Sequence, residues 1–417
     1  IVRPDVGAGL DPMLIAFSRS PAPYVLVICA GLILLLSMGM RNTFGLFLQP
    51  MSLDLQLPRE VYSLAIAIQM IAWGVGQPIF GGLADRYGAA RIAVLGGLLY
   101  AGGLLLMVNA TGPWALHGGA GVLVGLGISA AGFAVVLGPV GRAFPPEKRS
   151  LALGIASAGG SSGQLFMAPI GGALIDGMGW ASSLLVMAVI AALIIPLALG
   201  VRGKSTADSS SANSLGEALS EASRHSGYWL LCGGFFVCGF HVTFIAIHLP
   251  PFLSDHNLPP MLAATAIGMI GFFNILGTLA SGWLGGKYRQ KYVLSYFYLA
   301  RAIIIAGFLV FPVTQTSVLV FASLIGFLWL GTVPLTSGLV AQVFGPRYLG
   351  TLFGIVFFSH QIGGFLGAWL GGYVFDVTGS YDQVWLIAVA LGVLAAILHC
   401  PIADSPIQRQ TRSGDKV

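Results

Sequence analysis

Five ionisable side chains fall inside long apolar segments of this chain: Arg41, His241, His248, Arg301 and His360, with His117 and His399 nearer segment ends. Every acidic residue lies in a polar stretch or at a segment end; Asp176 and Asp376 are of the second kind. Groups of this type in an apolar setting are costly and mark function by default. A guanidinium presents a planar fork that matches a carboxylate. An imidazole changes charge near neutral pH and can donate to an anion. With no acid inside the apolar segments, Arg41 and Arg301 need another anion, or backbone carbonyls and water, to satisfy them. The set therefore suits reversible binding of a small organic anion, with protons as a second candidate partner. No nucleophile–base pair, phosphate-binding loop or metal-ligand spacing appears, so an enzyme is not expected, and neither a cofactor nor a metal.

The individual positions differ in depth. Arg41 lies about 17 residues into its segment, near or just beyond mid-membrane at the helical rise; the bland reading is that its long stem snorkels to the interface. His360 lies about 12 residues from the inner end of its segment, close to mid-depth, where a neutral histidine bonded to Ser359 or backbone is the alternative. His241 is the internal-repeat counterpart of Arg41, as shown below. Arg301 reads equally well as a ligand or as a tie between neighbouring helices. Asn42, Gln164, Asn274 and Gln361 are polar groups on apolar segments and complete the substrate-binding candidates; Gln69 belongs to the same class. Some of these amides are expected to join helix to helix.

The segments that must position these groups are set by composition. Of 417 residues, 56% are hydrophobic and 8% charged, against about 25% charged in soluble domains; mean hydropathy is +0.87. Only lipid can cover so much apolar surface. A span needs about 20 apolar residues, and twelve candidates follow: 23–48, 61–82, 91–110, 113–141, 149–175, 180–200, 227–252, 261–285, 291–312, 317–344, 348–375 and 382–402. The first is longer than a signal-sequence core and is expected to remain as a span. The long polar break 201–226 reads as a cytoplasmic linker between bundles at 23–200 and 227–402. Residues 1–22 and 403–417 read as cytoplasmic tails, and 214–224 as a short surface helix. The four cysteines, Cys29, Cys232, Cys238 and Cys400, show no framework spacing and read as small core residues.

Orientation follows from the basic residues. With the N-terminus inside, 17 of the 20 Lys and Arg residues fall on the cytoplasmic side. Only Arg59 falls outside; Arg41 and Arg301 lie within spans. The net charge of +5 is thus a matter of sidedness and gives no case for nucleic acid.

The chain also repeats itself at an offset of two hundred residues. Gly39, Arg41, Thr43, Phe44 and Pro50 match Gly239, His241, Thr243, Phe244 and Pro250. Gly154, Ile155, Gly163, Gly171, Gly172, Asp176 and Gly179 match Gly354, Ile355, Gly363, Gly371, Gly372, Asp376 and Gly379. Parallel six-helix repeats with a substrate site between them at the midplane are a transporter architecture. Gly363, Gly367 and Gly371 form one stripe, as do Gly159 and Gly163, and predict close helix packing or sliding.

After the second span stands Gly81-Gly82-Leu83-Ala84-Asp85-Arg86-Tyr87-Gly88-Ala89-Ala90-Arg91. It resembles the cytoplasmic-loop signature of the major facilitator superfamily, G-x-L-A-D-R-x-G-x-x-R. Gly81 and Gly88 would allow a tight turn. Asp85 would cap a helix and pair with an arginine across the halves, a latch in which Arg86 and Arg91 share. The second half carries a degenerate copy from Gly282 to Arg289 without the acid. The resemblance implies an all-α membrane protein of twelve transmembrane helices in two six-helix bundles, working by alternating access.

Softer motifs narrow the resemblance. Phe44-Gly45-Leu46-Phe47-Leu48, Arg149 to Gly154, and Gly367 to Gly372 with Asp376 and Gly379-Ser380-Tyr381 look like bacterial members of the monocarboxylate-porter and oxalate/formate-antiporter branch. This implies a secondary active transporter, symporter or antiporter, of a small monocarboxylate-like anion, coupled to protons or to anion exchange. The expected setting is a bacterial cytoplasmic (inner) membrane, with a monomer in the lipid bilayer. The eighth-helix Asp and Arg of the animal-type members are replaced by Asn274 and Thr278, so proton coupling would need a histidine or the substrate itself. The alternative is proton-coupled efflux of drugs or metabolites, to which Ala168 to Gly172 bears a faint likeness; the missing intramembrane acid counts against cationic drugs.

Overall fold

In the computed structural model, residues 22–202, 215–345 and 349–407 are described. Most of the expected linker, both tails except Ala22 and 403–407, and Arg347 lie outside these residues; of the side chains of Arg149, Ser150 and Leu151 nothing is said. Among the described residues every regular element is a helix. The described residues of Ile1–Leu57 and Ile68–Ser209 form one compact unit, and those of Pro58–Ala67 and Ser210–Val417 a second.

The first unit contains α1 (Pro23–Arg41), α2 (Phe44–Asp54), most of α3 (Arg59–Tyr87), α4 (Ala89–Val108), α5 (Val124–Ala130), α6 (Phe133–Ala143) and α7 (Pro146–Ala192). The second contains α8 (Ser226–Asp255), α9 (Pro260–Lys287), α10 (Gln290–Val310), α11 (Gln315–Phe327), α12 (Thr332–Phe344), α13 (Leu349–Thr378) and α14 (Asp382–His399). A short helix at Leu215–Arg224 precedes α8, where the sequence predicts one. Among the described residues, eleven helices are long and apolar enough to cross a membrane. One of these, Ala152–Val201, has 50 residues, about 75 Å of helix at 1.5 Å per residue and more than twice a bilayer core of about 30 Å. It breaks at Gly179 (φ +76°), a backbone conformation that glycine adopts without a Cβ penalty. The two pieces correspond to the expected fifth and sixth spans.

The internal repeat reappears as packing. In the first unit α1 lies along α7; in the second, α8 lies along α13. A Cβ on Gly163 would strike the carbonyl oxygen of Leu35, and one on Gly363 that of Phe236. These glycines are therefore required by close backbone approach, the modest reading of the stripe. α1 ends at Arg41 because Asn42 and Thr43 step out of the helix, with Asn42 Nδ2 donating to the Met38 carbonyl at 2.9 Å and Thr43 Oγ1 to that of Met40 at 2.6 Å.

The signature loop is partly as expected. Gly88 has φ +94° and makes the turn between α3 and α4. Gly81 does not: it is inside α3, which runs unbroken to Tyr87, because a glycine needs no turn where the helix continues to be hydrogen-bonded. Asp85 pairs with Arg142 of its own unit at 3.3 Å. Arg91 donates to the Tyr87 carbonyl at 3.3 Å, and Arg86 lies over the Tyr87 ring at 5.3 Å.

Within the second unit, the start of α3 is clasped. Asp376 accepts from the backbone N–H of Arg59 (3.1 Å) and of Glu60 (2.6 Å), satisfying donors that a helix N-terminus leaves open. Arg59 forks onto Asp255 with both contacts at 2.7 Å and donates to the Tyr381 hydroxyl at 2.9 Å. Trp369 Nε1 donates to Glu60 at 3.0 Å.

Candidate functional site

In the first unit the site is built on the end of α1. Arg41, partly buried, directs Nη2 to the Met70 sulfur at 3.3 Å, and its guanidinium carbon sits 4.9 Å from the Trp73 ring centroid. A thioether is a weak acceptor, and an aromatic face stabilises a cation without neutralising it. Arg41 Nε is buried with no hydrogen-bond partner. Among the described residues no acid pairs with Arg41. Tyr100 stands nearby, its hydroxyl donating to the Ser37 carbonyl at 3.2 Å. The guanidinium is thus held by soft groups with donor capacity remaining, and it has not snorkelled to a polar partner.

Three amides of this unit behave differently from one another. Asn42 serves its own helix end. Gln69 Nε2 donates to the Ala120 carbonyl at 2.8 Å, a helix-to-helix tie. Gln164 is 2% exposed and its Nε2 lacks a partner.

In the second unit the polar groups gather around a gap in the tenth expected span, residues 328–331, between α11 and α12. A helix C-terminus leaves carbonyls open and favours a cation. Arg301, 1% exposed, supplies both. Its Nε donates to the Leu328 carbonyl at 3.1 Å, and Nη2 donates to the carbonyls of Leu328 and Trp329. Nη1 donates to the Cys238 sulfur at 3.4 Å. From the other side, Asn274 Oδ1 accepts the Leu330 N–H at 3.0 Å and the Thr278 hydroxyl at 3.3 Å. Arg301 and Asn274 therefore hold a broken backbone, the structural alternative open for Arg301 in the sequence.

His241 and His248 are also ties. Nε2 of His241 meets the Ala388 carbonyl at 2.7 Å, and Nε2 of His248 that of Ala368 at 2.7 Å. The symmetry that paired His241 with Arg41 places it in α8 without giving it the same partners. His360 is different. Its Nδ1 faces Gln361 Oε1 at 3.0 Å, its ring stacks on Phe357 and approaches Phe235, and it hydrogen-bonds the Cys238 side chain. Cys238 in turn is 3.2 Å from Thr332 Oγ1. Sequence reasoning missed Cys238, because an isolated cysteine without ligand spacing carries no signal, and missed the 328–331 gap, which has no proline inside it. Among the described residues no His, Cys, Asp and Glu group suits a metal ion.

Comparisons with known proteins agree with this architecture. The family model of the Major Facilitator Superfamily matches residues 30–368. The chain is 27% identical over 390 residues to an uncharacterized MFS-type transporter, YcxA of Bacillus subtilis (strain 168), covering 89% of this chain and 93% of that protein. It is 27% identical over 422 residues to monocarboxylate transporter 13 of Rattus norvegicus, covering 95% and 90%. Among solved structures, a D-xylose-proton symporter superposes with a TM-score of 0.74 at 14% identity, over 92% of this chain and 99% of that one, a likeness of fold alone. With its helical fold, its repeat and its signature loop, this chain belongs to the Major Facilitator Superfamily of membrane transporters, and it is a multi-pass membrane protein rather than an enzyme.

Proposed function

We propose that this transporter carries a small organic anion of the monocarboxylate kind by secondary active transport. The observation that carries the reading is Arg41: a cation at the end of α1 that, among the described residues, meets a thioether, an aromatic face and a nearby tyrosine, and no acid. A carboxylate would supply the counter-charge and two oxygens for the fork. The relation to monocarboxylate transporter 13 supports the substrate class. His360 is the second group on which the reading rests, in protonic coupling or in binding; Gln361 stands beside it, and Gln164 has a donor to offer. Coupling is to protons or to anion exchange, and the protein works as a monomer in a bacterial cytoplasmic membrane with both termini inside. The bundles at 23–200 and 227–402 act as its two moving parts.

The test is thermal stabilisation of the purified protein by lactate, pyruvate, oxalate and formate, with cationic drugs as the contrast. A ligand that binds the folded state raises its melting temperature by mass action. Stabilisation by one carboxylate class that disappears in Arg41→Ala supports the reading. Stabilisation by cationic or neutral drugs alone removes it in favour of efflux.

A further inference from the structure

The seven histidines include four that are almost fully buried in the second unit: His241, His248, His360 and His399. Three share one pattern. Each places one ring nitrogen against a backbone carbonyl, at 2.7 Å from Ala388, Ala368 and Ala395 respectively. Each leaves the other nitrogen buried with no partner: Nδ1 of His241, Nδ1 of His248 and Nε2 of His399. A neutral imidazole tolerates this, since one nitrogen donates and the other is a bare lone pair. A protonated one does not, since both nitrogens then donate and a buried unsatisfied charged donor is expensive.

His360 is built otherwise. Its partners are side chains, Gln361 Oε1 at 3.0 Å and the Cys238 sulfur, and neither of its nitrogens is stranded. Two stacked or tilted phenylalanine rings, Phe357 at 5.6 Å and Phe235 at 5.0 Å between centroids, offer faces on which a cation is stabilised. We propose that His360 is a reversible proton-binding site of this transporter, the one buried histidine furnished to hold both charge states. The proposal rests on the anion-transport reading for its biological use and deepens it by naming the proton carrier.

The electrostatic setting links the proton to the substrate. The charged and titratable groups facing this cluster are Cys238 on α8, Arg301 and Tyr298 on α10, with Thr332 of α12 as a neutral hydroxyl; His241, also on α8, lies near Arg301. None of them is a carboxylate. An imidazolium at His360 therefore has no fixed counter-charge. A bound anion supplies one, and by linkage each of the two then strengthens binding of the other by the same factor. Charge balance is simple: a proton from bulk water adds to the imidazole on loading and returns to water on release, with no bond change elsewhere.

The experiment is magic-angle-spinning NMR of the full-length protein in proteoliposomes with labelled histidine, following ring nitrogen shifts between about pH 5 and 8. His360→Asn identifies the His360 signal. The expected result is one buried histidine, missing in that variant, which passes reversibly from neutral ring to imidazolium while three stay neutral. A His360 signal that remains neutral throughout, or titration of His241, His248 or His399 in its place, overturns the proposal. Should His360→Asn fail to fold, Gln361→Leu removes the Nδ1 acceptor and is expected to lower the midpoint by about one pH unit; an unmoved midpoint overturns the proposal equally. Added pyruvate, lactate or oxalate separates the two claims. A midpoint raised by one of them supports both. A titrating His360 that no carboxylate moves supports the proton site and removes the anion reading, whereas carboxylate stabilisation with a silent His360 does the reverse.

Discussion

Arg41 and Arg301 look alike in the sequence: each is a lone arginine in an apolar segment with no acid nearby. Their surroundings separate them. Arg301 donates from all three nitrogens, two of them into carbonyls that the end of α11 leaves open. Arg41 meets a sulfur and an indole face, and its Nε has no partner. Both units have an interrupted helix at the matching place, Ala131–Gly132 between α5 and α6, and residues 328–331 between α11 and α12. Only the longer gap has an arginine in it; the repeat position of Arg301 in the first unit is Ala101. The difference teaches that an intramembrane cation marks function only after the backbone's own demand for donors has been met.

The comparison breaks most visibly by truncation. Arg301→Ala strands the carbonyls of Leu328 and Trp329 in a site that water does not reach. At 1–3 kcal/mol for each unsatisfied buried group, the loss is on the order of 3 kcal/mol or more, read as a large fall in melting temperature or as loss of folded protein in size-exclusion chromatography. Arg41→Ala is expected to do the opposite: a melting temperature close to that of the parent, with carboxylate stabilisation abolished. Equal destabilisation by the two variants would dissolve the distinction. Arg41→Lys sharpens it, because the charge remains while the planar fork is lost. Carboxylate affinity should fall by about tenfold, ~1.4 kcal/mol, measured by the ligand concentration that gives half-maximal thermal shift.

Asn274 tests the other side of the gap. Asn274→Leu leaves the Leu330 N–H without its acceptor and is expected to cost about 1–3 kcal/mol, less than Arg301→Ala because one backbone group rather than two is stranded. Urea or thermal unfolding of the purified protein reads the order of the two effects. If Asn274→Leu left stability intact but weakened a carboxylate, Asn274 would return to the ligand set.

The sequence made much of this visible, and its failures have particular causes. Apolar length and the sidedness of Lys and Arg predict the spans, and Gly179 and Gly88 mark real breaks, each with a positive φ. Gly81 has the same motif context and no turn. Arg41 stands out in the sequence by the lack of any acid inside the apolar segments, a property of composition. The roles of His241, His248, Asn274 and Arg301 were not, because each depends on which carbonyl or N–H lies opposite, and that is fixed by helix packing and by a gap that no proline announces. Gln361 adjoins His360 in the sequence itself, but Cys238 matters through its position beside His360 from another helix, which spacing along the chain cannot supply.

A third arginine completes the series with the smallest expected effect. Arg289, outside the spans, has what the other two lack, an acid: it forks onto Asp404, with Nε at 3.0 Å and Nη2 also in contact. Lys291 Nζ lies 3.8 Å from the same carboxylate. The hydrogen bonds from Arg289 hold the Asp404 carboxyl below its ordinary value, against the opposing effect of burial. A depressed carboxylate contributes stability above its unfolded value, about 3.9, and loses it as pH falls through the folded one. Stability from this pair is therefore flat across neutral pH and lost only in acid. Asp404→Asn should lower the melting temperature slightly at pH 7, with the difference from the parent shrinking as pH drops below about 4. A difference that grew on acidification would reverse the sign and assign the pair a destabilising role, whereas the predicted convergence would show that an exposed arginine paired with an acid contributes little beside one buried against backbone.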